Sequence, residues 1–365
     1  MPSMSIDESA GDSEGSVPLG LARFVGRSTA LAFPGRGRTE SRFLGLAAVA
    51  ANDLALARLA EGHADALAIL DEAGLPPTEA AAYGVWAARS SKGDLTATAT
   101  EKGWVLDGTK GFCSGVGLLD RALVTADTPD GPQLFDVDLR QPGVDPVKGS
   151  WPAVGMAGSV SAAAVFTDVE VGTAGAVGSV GWYTSRIGFW WGAAGVAACW
   201  WGGARGLLDS VGGHLVAGRV GEHEAAAFGT ASAELRSMTA MLHWAAHEID
   251  AHPTDTDLAR RVALSTRESV HRGALFILGA AAAAGGARPI CLDARQSRRS
   301  ADLYAYLAQH HVGRDAALLG RQLLQERAQD RDDTDAATGT DAATGTDAAT
   351  DIDAATGIGR AAVAP

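Results

Sequence analysis

The stretch Trp104-Val-Leu-Asp-Gly-Thr-Lys-Gly-Phe-Cys-Ser-Gly115, followed by Ala122-Leu-Val-Thr-Ala126, reads as two strands joined by a compact turn. An aromatic and a hydroxyl, Phe112 and Ser114, stand two residues apart just beyond that turn. Working outward, from about Tyr83 to Val171 short apolar runs alternate with turn signals at Lys102-Gly103, Asp107-Gly108, Pro129-Asp-Gly131 and Pro142-Gly143. The runs are Trp104 to Leu106, Ala122 to Ala126, Gln133 to Leu139 and Ala162 to Val171. Leu134 to Leu139 partly alternates, as a half-exposed strand does. This texture predicts a small β domain of antiparallel type.

Helical patterns flank it. Phe43 to Leu75 carries leucines at three- and four-residue spacing, Gly74 closes the run, and Pro76-Pro77 stops it. After Gly181 the spacing predicts helices near 184–217, 226–251, 256–284 and 298–326, and Ala280 to Gly286 permits a very close helix approach. The fold class is α+β, in the order N-terminal helices, central antiparallel β domain, C-terminal four-helix bundle. The expected divisions are a disordered tail over 1–20, helices over 21–80, the β domain over 81–175, the bundle over 176–327 and a disordered tail over 328–365. That last tail repeats Asp-Ala-Ala-Thr-Gly-Thr from Asp335 and Asp341 and, less perfectly, from Asp347 and Asp353. It carries no large apolar residue to offset the entropy of ordering. One Asp per six residues gives no oxygen cluster for a calcium ion.

Composition narrows the function. The chain has 365 residues, 47% of them apolar, enough for a sizeable core. Its net charge of −13 argues against a nucleic-acid partner. Three cysteines, Cys113, Cys199 and Cys291, show neither pairing nor metal spacing, so a reducing cytoplasm is expected. The first twenty residues lack the basic and apolar regions of a secretory signal. The uncharged run Ile187 to Gly203 is short and glycine-containing, so a buried bundle helix is expected rather than a membrane span.

Other signals favour bland readings. Gly111-Phe-Cys-Ser-Gly115 matches a nucleophile elbow in letters, but a strand follows where a helix is required. His243 and His247, four apart, lack the zincin order and read as half-buried bundle histidines. His63 reads as a packed or paired histidine. Arg295, Arg298 and Arg299 read as a solvated helix start, with a phosphate contact as the alternative.

The segment Asp107-Gly-Thr-Lys-Gly-Phe-Cys-Ser-Gly115 resembles the flavin-facing segment of the acyl-CoA dehydrogenases, and the layout of helices, β domain and bundle is similar over about residues 40–326. Trp151-Pro-Ala-Val-Gly-Met156 with Ser159 and Ser161, and Ala164-Val-Phe-Thr-Asp-Val-Glu-Val171, resemble the end of that family's β domain. The resemblance implies FAD as cofactor, an acyl-CoA or related small-molecule substrate, and a homodimer or homotetramer. It places Phe112 against the isoalloxazine and the Ser114 hydroxyl at its N5 edge, with Cys113 between them and Trp86 in the flavin loop. Arg219 and Gly285-Gly286 fall where the family holds the nucleotide half of FAD across a dimer. Arg186 falls at the mouth of the active site.

Departures bear on the chemistry. The family's flavin and substrate loop is here Trp86-Ala-Ala-Arg-Ser-Ser-Lys-Gly-Asp94. The two positions used for the catalytic glutamate correspond to Ser185 and to Ala308 or Gln309, none of which is a base at neutral pH. Three explanations stay open: a non-catalytic paralogue serving as a binding partner, a displaced base with His310 or His311 the nearest, or flavin–oxygen chemistry of the monooxygenase kind.

Overall fold

The computed structural model describes residues 16–28, 31–88 and 95–342, and the chain divides into two units, Met1–Ala316 and Ala317–Pro365. The first unit begins with α1 (Ser16–Val25), α2 (Thr39–Asn52) and α3 (Leu54–Glu72). Helix α1 starts inside the stretch expected to be a disordered tail, because Val17 and Leu21 bury themselves in one apolar cluster with Leu59 of α3. The single helix expected over Phe43 to Leu75 is two. Asp53 is extended (φ −148°, ψ 112°), and its carboxylate accepts from the Leu56 N–H at 2.8 Å, capping α3. At the other end of α2, Asp250 accepts from the N–H groups of Gly37 and Thr39 at 3.0 and 2.9 Å and from Thr39 Oγ1 at 2.6 Å.

An eight-stranded sheet follows: β1 (Tyr83–Trp86), β2 (Thr96–Thr100), β3 (Gly103–Cys113), β4 (Arg121–Thr128), β5 (Gly131–Asp138), β6 (Val144–Val147), β7 (Ala162–Gly172) and β8 (Ala176–Val177). Its order is β6-β7-β3-β2-β4-β5-β8, with β1 on β4. The sheet is mixed where an antiparallel one is expected, since β1 pairs with β4 in parallel and β2 touches β4 in parallel at Thr96. The strands read from the sequence are present. Asp107-Gly108 is not a turn but a slip of register inside β3, with Gly108 at φ 122° and the Asp107 carboxylate accepting from the Asp168 N–H at 2.8 Å.

The remaining helices of this unit are α4 (Trp182–Ser185), α5 (Gly188–Val216), α6 (Glu222–Ala251), α7 (Thr256–Gly285), α8 (Ala287–Leu292) and α9 (Ala294–Leu307), followed by the start of α10 (Val312–Ala342). The last helix expected, 298–326, is broken between Leu307 and Val312, where His310 turns its ring into the core. Helix α10 runs into the acidic repeat, where a solvated tail is expected; the repeat's alanines are the best helix formers available. The second unit is, among the described residues, the remainder of that helix, with Gln322 donating to Glu326 at 3.1 Å.

Helix α5 lies in the middle of the bundle, with Ala194, Ala197, Ala198, Cys199, Trp200 and Ala204 buried. Among the described residues no helix is long and apolar enough to cross a membrane. A very close helix approach occurs between α2 and α5. A Cβ on Gly202 would lie 2.3 Å from the Ala47 carbonyl oxygen, and one on Gly206 would lie 2.1 Å from that of Ala51. Alanine normally stabilises a helix interior over glycine by about 1 kcal/mol. Here the order reverses: Gly202→Ala and Gly206→Ala are each expected to destabilise by about 1–3 kcal/mol through overpacking, measured as a shift of the urea midpoint at constant slope.

Candidate functional site

The end of β3 is built under strain. Its register against β7 slips between Lys110 and Cys113, and Phe112 within that slip adopts φ +58°. Across the same junction Met156 and Val160 stand at φ +60° and +45°. A non-glycine residue held in the left-handed region costs about 1–3 kcal/mol and persists only where its surroundings enforce it.

Those surroundings are visible. The Met156 N–H donates to the buried carboxylate of Asp302 on α9 at 2.5 Å. A Cβ on Gly155 would lie 2.2 Å from the Ala301 carbonyl, so the segment rests directly on α9. The Gly115 N–H donates to the Ser159 carbonyl at 2.8 Å, and Trp86 Nε1 donates to the Ser114 carbonyl at 3.0 Å. Lys110 Nζ donates to the carbonyl and hydroxyl of Thr125 at 2.7 Å each.

This framing presents an aromatic ring and a chain of hydroxyls. Phe112 is 58% exposed, and Val160 is also exposed. Ser159 Oγ and Ser161 Oγ lie 2.8 Å apart, and Ser161 Oγ donates to Ser114 Oγ at 3.2 Å. An exposed ring on a strained backbone beside linked hydroxyls offers a flat apolar face and a polar edge. Cys113 is turned the other way. It is buried, donates to the Lys110 carbonyl at 3.2 Å, and burial pushes its thiol up to about 12, which removes it as a nucleophile.

Of the residues singled out from the sequence, Trp86, Phe112, Cys113 and Ser114 come together here; residues 89–94 of the loop after Trp86 lie outside the described residues. Arg219 is exposed between α5 and α6, and Gly285-Gly286 ends α7, with Gly286 at φ +65°. Arg186 sits between α4 and α5. Its Nη1 donates to Glu72 of α3 at 2.6 Å, and its guanidinium lies over the rings of Trp182 and Tyr183 at 5.8 and 5.4 Å. Ser185 is exposed and donates to the Trp182 carbonyl, while Ala308 and Gln309 are exposed at the end of α9.

His310 occupies the bundle interior. Its side chain has 0% exposure and packs on His271 and Trp200 with ring centroids 4.8 and 5.5 Å away. Nδ1 lies 3.3 Å from Arg267 Nη2 and 3.4 Å from an Asp315 oxygen, while Nε2 makes no hydrogen bond and has Glu268 Oε2 3.7 Å away. Burial, the Arg267 charge and His271 hold its pKa down to about 4, so the ring is neutral at pH 7. The expected role of His310 as a base meets an obstacle: a ring closed in on every side does not reach a substrate. Arg267, Glu268 and His271 were not legible as its partners, although Arg267 and His271 lie four apart on the buried stripe of α7. His243 and His247 are exposed rather than half-buried, with His243 Nδ1 3.0 Å from Glu40.

No protein-family model matches the chain, and no curated protein matches it in sequence. Solved structures do match in fold. Dibenzothiophene monooxygenase TdsC from Paenibacillus sp. A11-2, solved alone and with FMN and indole, aligns at TM-score 0.68 and 20% identity over 86% of this chain and 97% of that one. KijD3, solved with FMN and a dTDP-linked keto sugar, aligns at 0.69 and 17% over 87% and 95%. A glutaryl-CoA dehydrogenase from Mycobacterium smegmatis, solved with FADH2, aligns at 0.67 and 15% over 87% and 95%. The chain therefore has the acyl-CoA dehydrogenase fold.

Two outcomes follow from the geometry. Phe112→Gly is expected to be about 1 kcal/mol more stable than Phe112→Ala, the reverse of the usual order in a strand, because both lose the ring and only glycine relieves the positive φ; paired thermal melts read the difference. Between about pH 6.5 and 4 the unfolded chain takes up a proton at His310, and another at His63, that the folded chain resists, so these groups lower stability as pH falls. Glu61, raised to about 7 mainly by burial, acts in the opposite sense between 7 and 4.5. His310→Gln should flatten the acid limb of a stability-against-pH curve, and an unchanged limb would show that His310 titrates normally.

Proposed function

We propose that this chain, built on the acyl-CoA dehydrogenase fold, is a flavin-dependent oxidoreductase acting on a small molecule. The observation that carries the reading is the strained, exposed ring of Phe112 beside the Ser159–Ser161–Ser114 hydroxyl relay. It lies at the residues whose sequence resembles the family's flavin-facing segment. A bound flavin would supply the hydride and electron chemistry that no side chain can. The chain's own residues do the rest. Phe112 offers a flat apolar surface, and Ser114, ordered by Ser161, offers a hydroxyl to a polar ring edge. FAD is the finer choice over FMN, with exposed Arg219 and Gly285-Gly286 available to its nucleotide half across a dimer.

A second observation favours oxygen-using chemistry over dehydrogenation of an acyl-CoA. Removing an α-proton needs an ionised base at the substrate. Ser185, Ala308 and Gln309 supply none and His310 is shut inside the bundle, which leaves exposed His311, just before α10, as the one expected base open to a ligand. Arg186, with its pair Glu72, remains the charged group proposed for the mouth of the active site.

Purified protein incubated with FMN or FAD and then desalted is expected to keep the visible absorbance of oxidised flavin. Phe112→Ala should weaken flavin binding by about tenfold, the scale of one lost aromatic contact. A wild-type chain that stays colourless with both flavins overturns the reading and leaves a binding protein on this fold. With flavin bound, anaerobic acyl-CoA thioesters are expected not to bleach it; bleaching would restore the dehydrogenase.

A further inference from the structure

The second half of α7 is a surface helix bare of charge. Between Arg272 and Arg288, no side chain from Gly273 to Ala287 carries a polar atom. The inner side of this half, with Ala274, Ile277, Ala281 and Ala284, is buried in the bundle core. The outer side leaves Leu275 41% and Phe276 49% exposed. Gly279 lies on that outer side, and a Cβ there would meet nothing within 4 Å among the described residues. Glycine weakens a helix interior, and packing among the described residues gives this one no role.

The outer residues follow a particular order. Arg272, Leu275, Phe276, Gly279, Ala282, Ala283 and Gly286 recur at three- and four-residue spacing, so they form one stripe. Their spacing is symmetric about Gly279, but their sizes are not: the large side chains precede it, and only methyl groups and hydrogens follow. Such a stripe complements a copy of itself turned end for end about an axis through Gly279. The turn lays Phe276 against Ala283 of the partner subunit and Leu275 against Ala282 of the partner subunit, each pair level to within about 1.5 Å, one residue's rise. Gly279 then meets its own copy, where the missing side chains let the helices close. Charge agrees with this register. Arg272, with a side chain 73% exposed and 3.7 Å from Glu268, comes beside the C-terminal end of the partner's α7, where carbonyls carry partial negative charge. The chain as a whole carries −13, so like charge opposes contact between copies over its acidic surfaces and leaves an uncharged stripe as the favourable place to meet.

We propose that this stripe of α7 is the face on which two copies of the chain pair, antiparallel and two-fold, with Gly279 on the axis and the ring of Phe276 seated over Ala283 of the partner subunit. A stripe that complements itself identifies its occupant as a second copy, since in an isologous contact each half supplies what the other meets. The resemblance drawn from the sequence implies a homodimer or homotetramer but gives no surface for it; the order of residues on α7 assigns one. This inference does not rest on the flavin reading, because the mass of the particle is read with or without flavin.

Sedimentation velocity of the full chain is expected to give a dimer. Phe276→Ala and Ala283→Phe are each expected to raise its dissociation constant at least about tenfold, one by removing the knob and the other by filling its hollow. The double variant carries the same order in reverse, so it is expected to return to within about threefold of the wild-type constant. Circular dichroism of each variant checks that the exposed substitution leaves the fold intact. A second measurement spares the knob and the hollow. In a Cys291→Ser background, where Cys113 and Cys199 are buried, Gly279→Cys is expected to cross-link to a second copy under mild oxidation, since a residue on the axis meets itself. A monomeric wild-type chain overturns the proposal and leaves the stripe to a different protein. A dimer indifferent to both single variants, a double variant no tighter than the singles, or a Gly279→Cys chain that stays uncross-linked overturns it too.

Discussion

From Leu54 to Leu70, helix α3 has no exposed residue, and that constraint organises the first unit. Its alanines Ala57, Ala60 and Ala64 belong to the apolar core of the bundle, Leu59 to that of the sheet, and Ala66, Ile69 and Leu70 to a third cluster with Tyr83, Leu123 and Leu134. A helix that touches neighbours on every side must have small side chains where backbones come close, which explains its run of alanines. It must also satisfy whatever polar groups it keeps. Glu61 is met by Arg58, and His63 accepts from the Tyr83 N–H at 3.1 Å and meets Ser28 Oγ at 3.0 Å. Burial pushes Glu61 up to about 7 against the pull of Arg58 and holds His63 down to about 4, so the helix at the centre of the core carries two groups that titrate away from their usual ranges.

What was legible in the sequence was periodic. Apolar runs bounded by glycine and proline gave β3, β4, β5 and β7, and the leucine and alanine spacing gave the long helices. Breaks enforced by a single side chain were not legible. Asp53 splits α2 from α3 by capping, yet Asn52-Asp53 sits inside an unbroken leucine pattern. His310 splits α9 from α10 because its ring is drawn against Trp200 and His271, which lie far away in sequence. Asp107-Gly108 has turn chemistry, but pairing with β7 absorbs it as a bulge. Parallel pairing of β1 with β4 leaves no local trace, since register between distant strands is set by packing and not by turn residues.

The candidate sites divide along the same line. Phe112 and Ser114 were legible because their spacing within one strand is a local pattern. The strain that marks them was not, since Met156 is held from α9 through Asp302 and Gly155, and Phe112 lies in a register slip against β7. Nor was the pairing of Arg186. A lone arginine opening a helix shows nothing of Glu72, which a distant helix turns toward it.

The polar side chains at the sites described above fall into two groups by reach. Arg267, His271 and His310 line up inside the bundle around Trp200, with Arg267 4.7 Å from that ring, and are held by one another. Ser114, Arg186 and Glu72 stand at surfaces and cavity walls. Desolvation penalises charge on the first group, so their natural state is the uncharged or internally paired one, and a proton delivered there would raise the energy of the core. Chemistry at a bound ligand must draw on the second group, which contains hydroxyls, paired guanidinium and paired carboxylates but no free base at the positions where the fold's dehydrogenases would carry a glutamate. A reaction that takes its driving force from a flavin and oxygen needs orientation and exclusion of water more than it needs proton abstraction. In the reaction proposed above, the strained ring of Phe112 and the linked hydroxyls of Ser159, Ser161 and Ser114 would serve the orientation of the ligand.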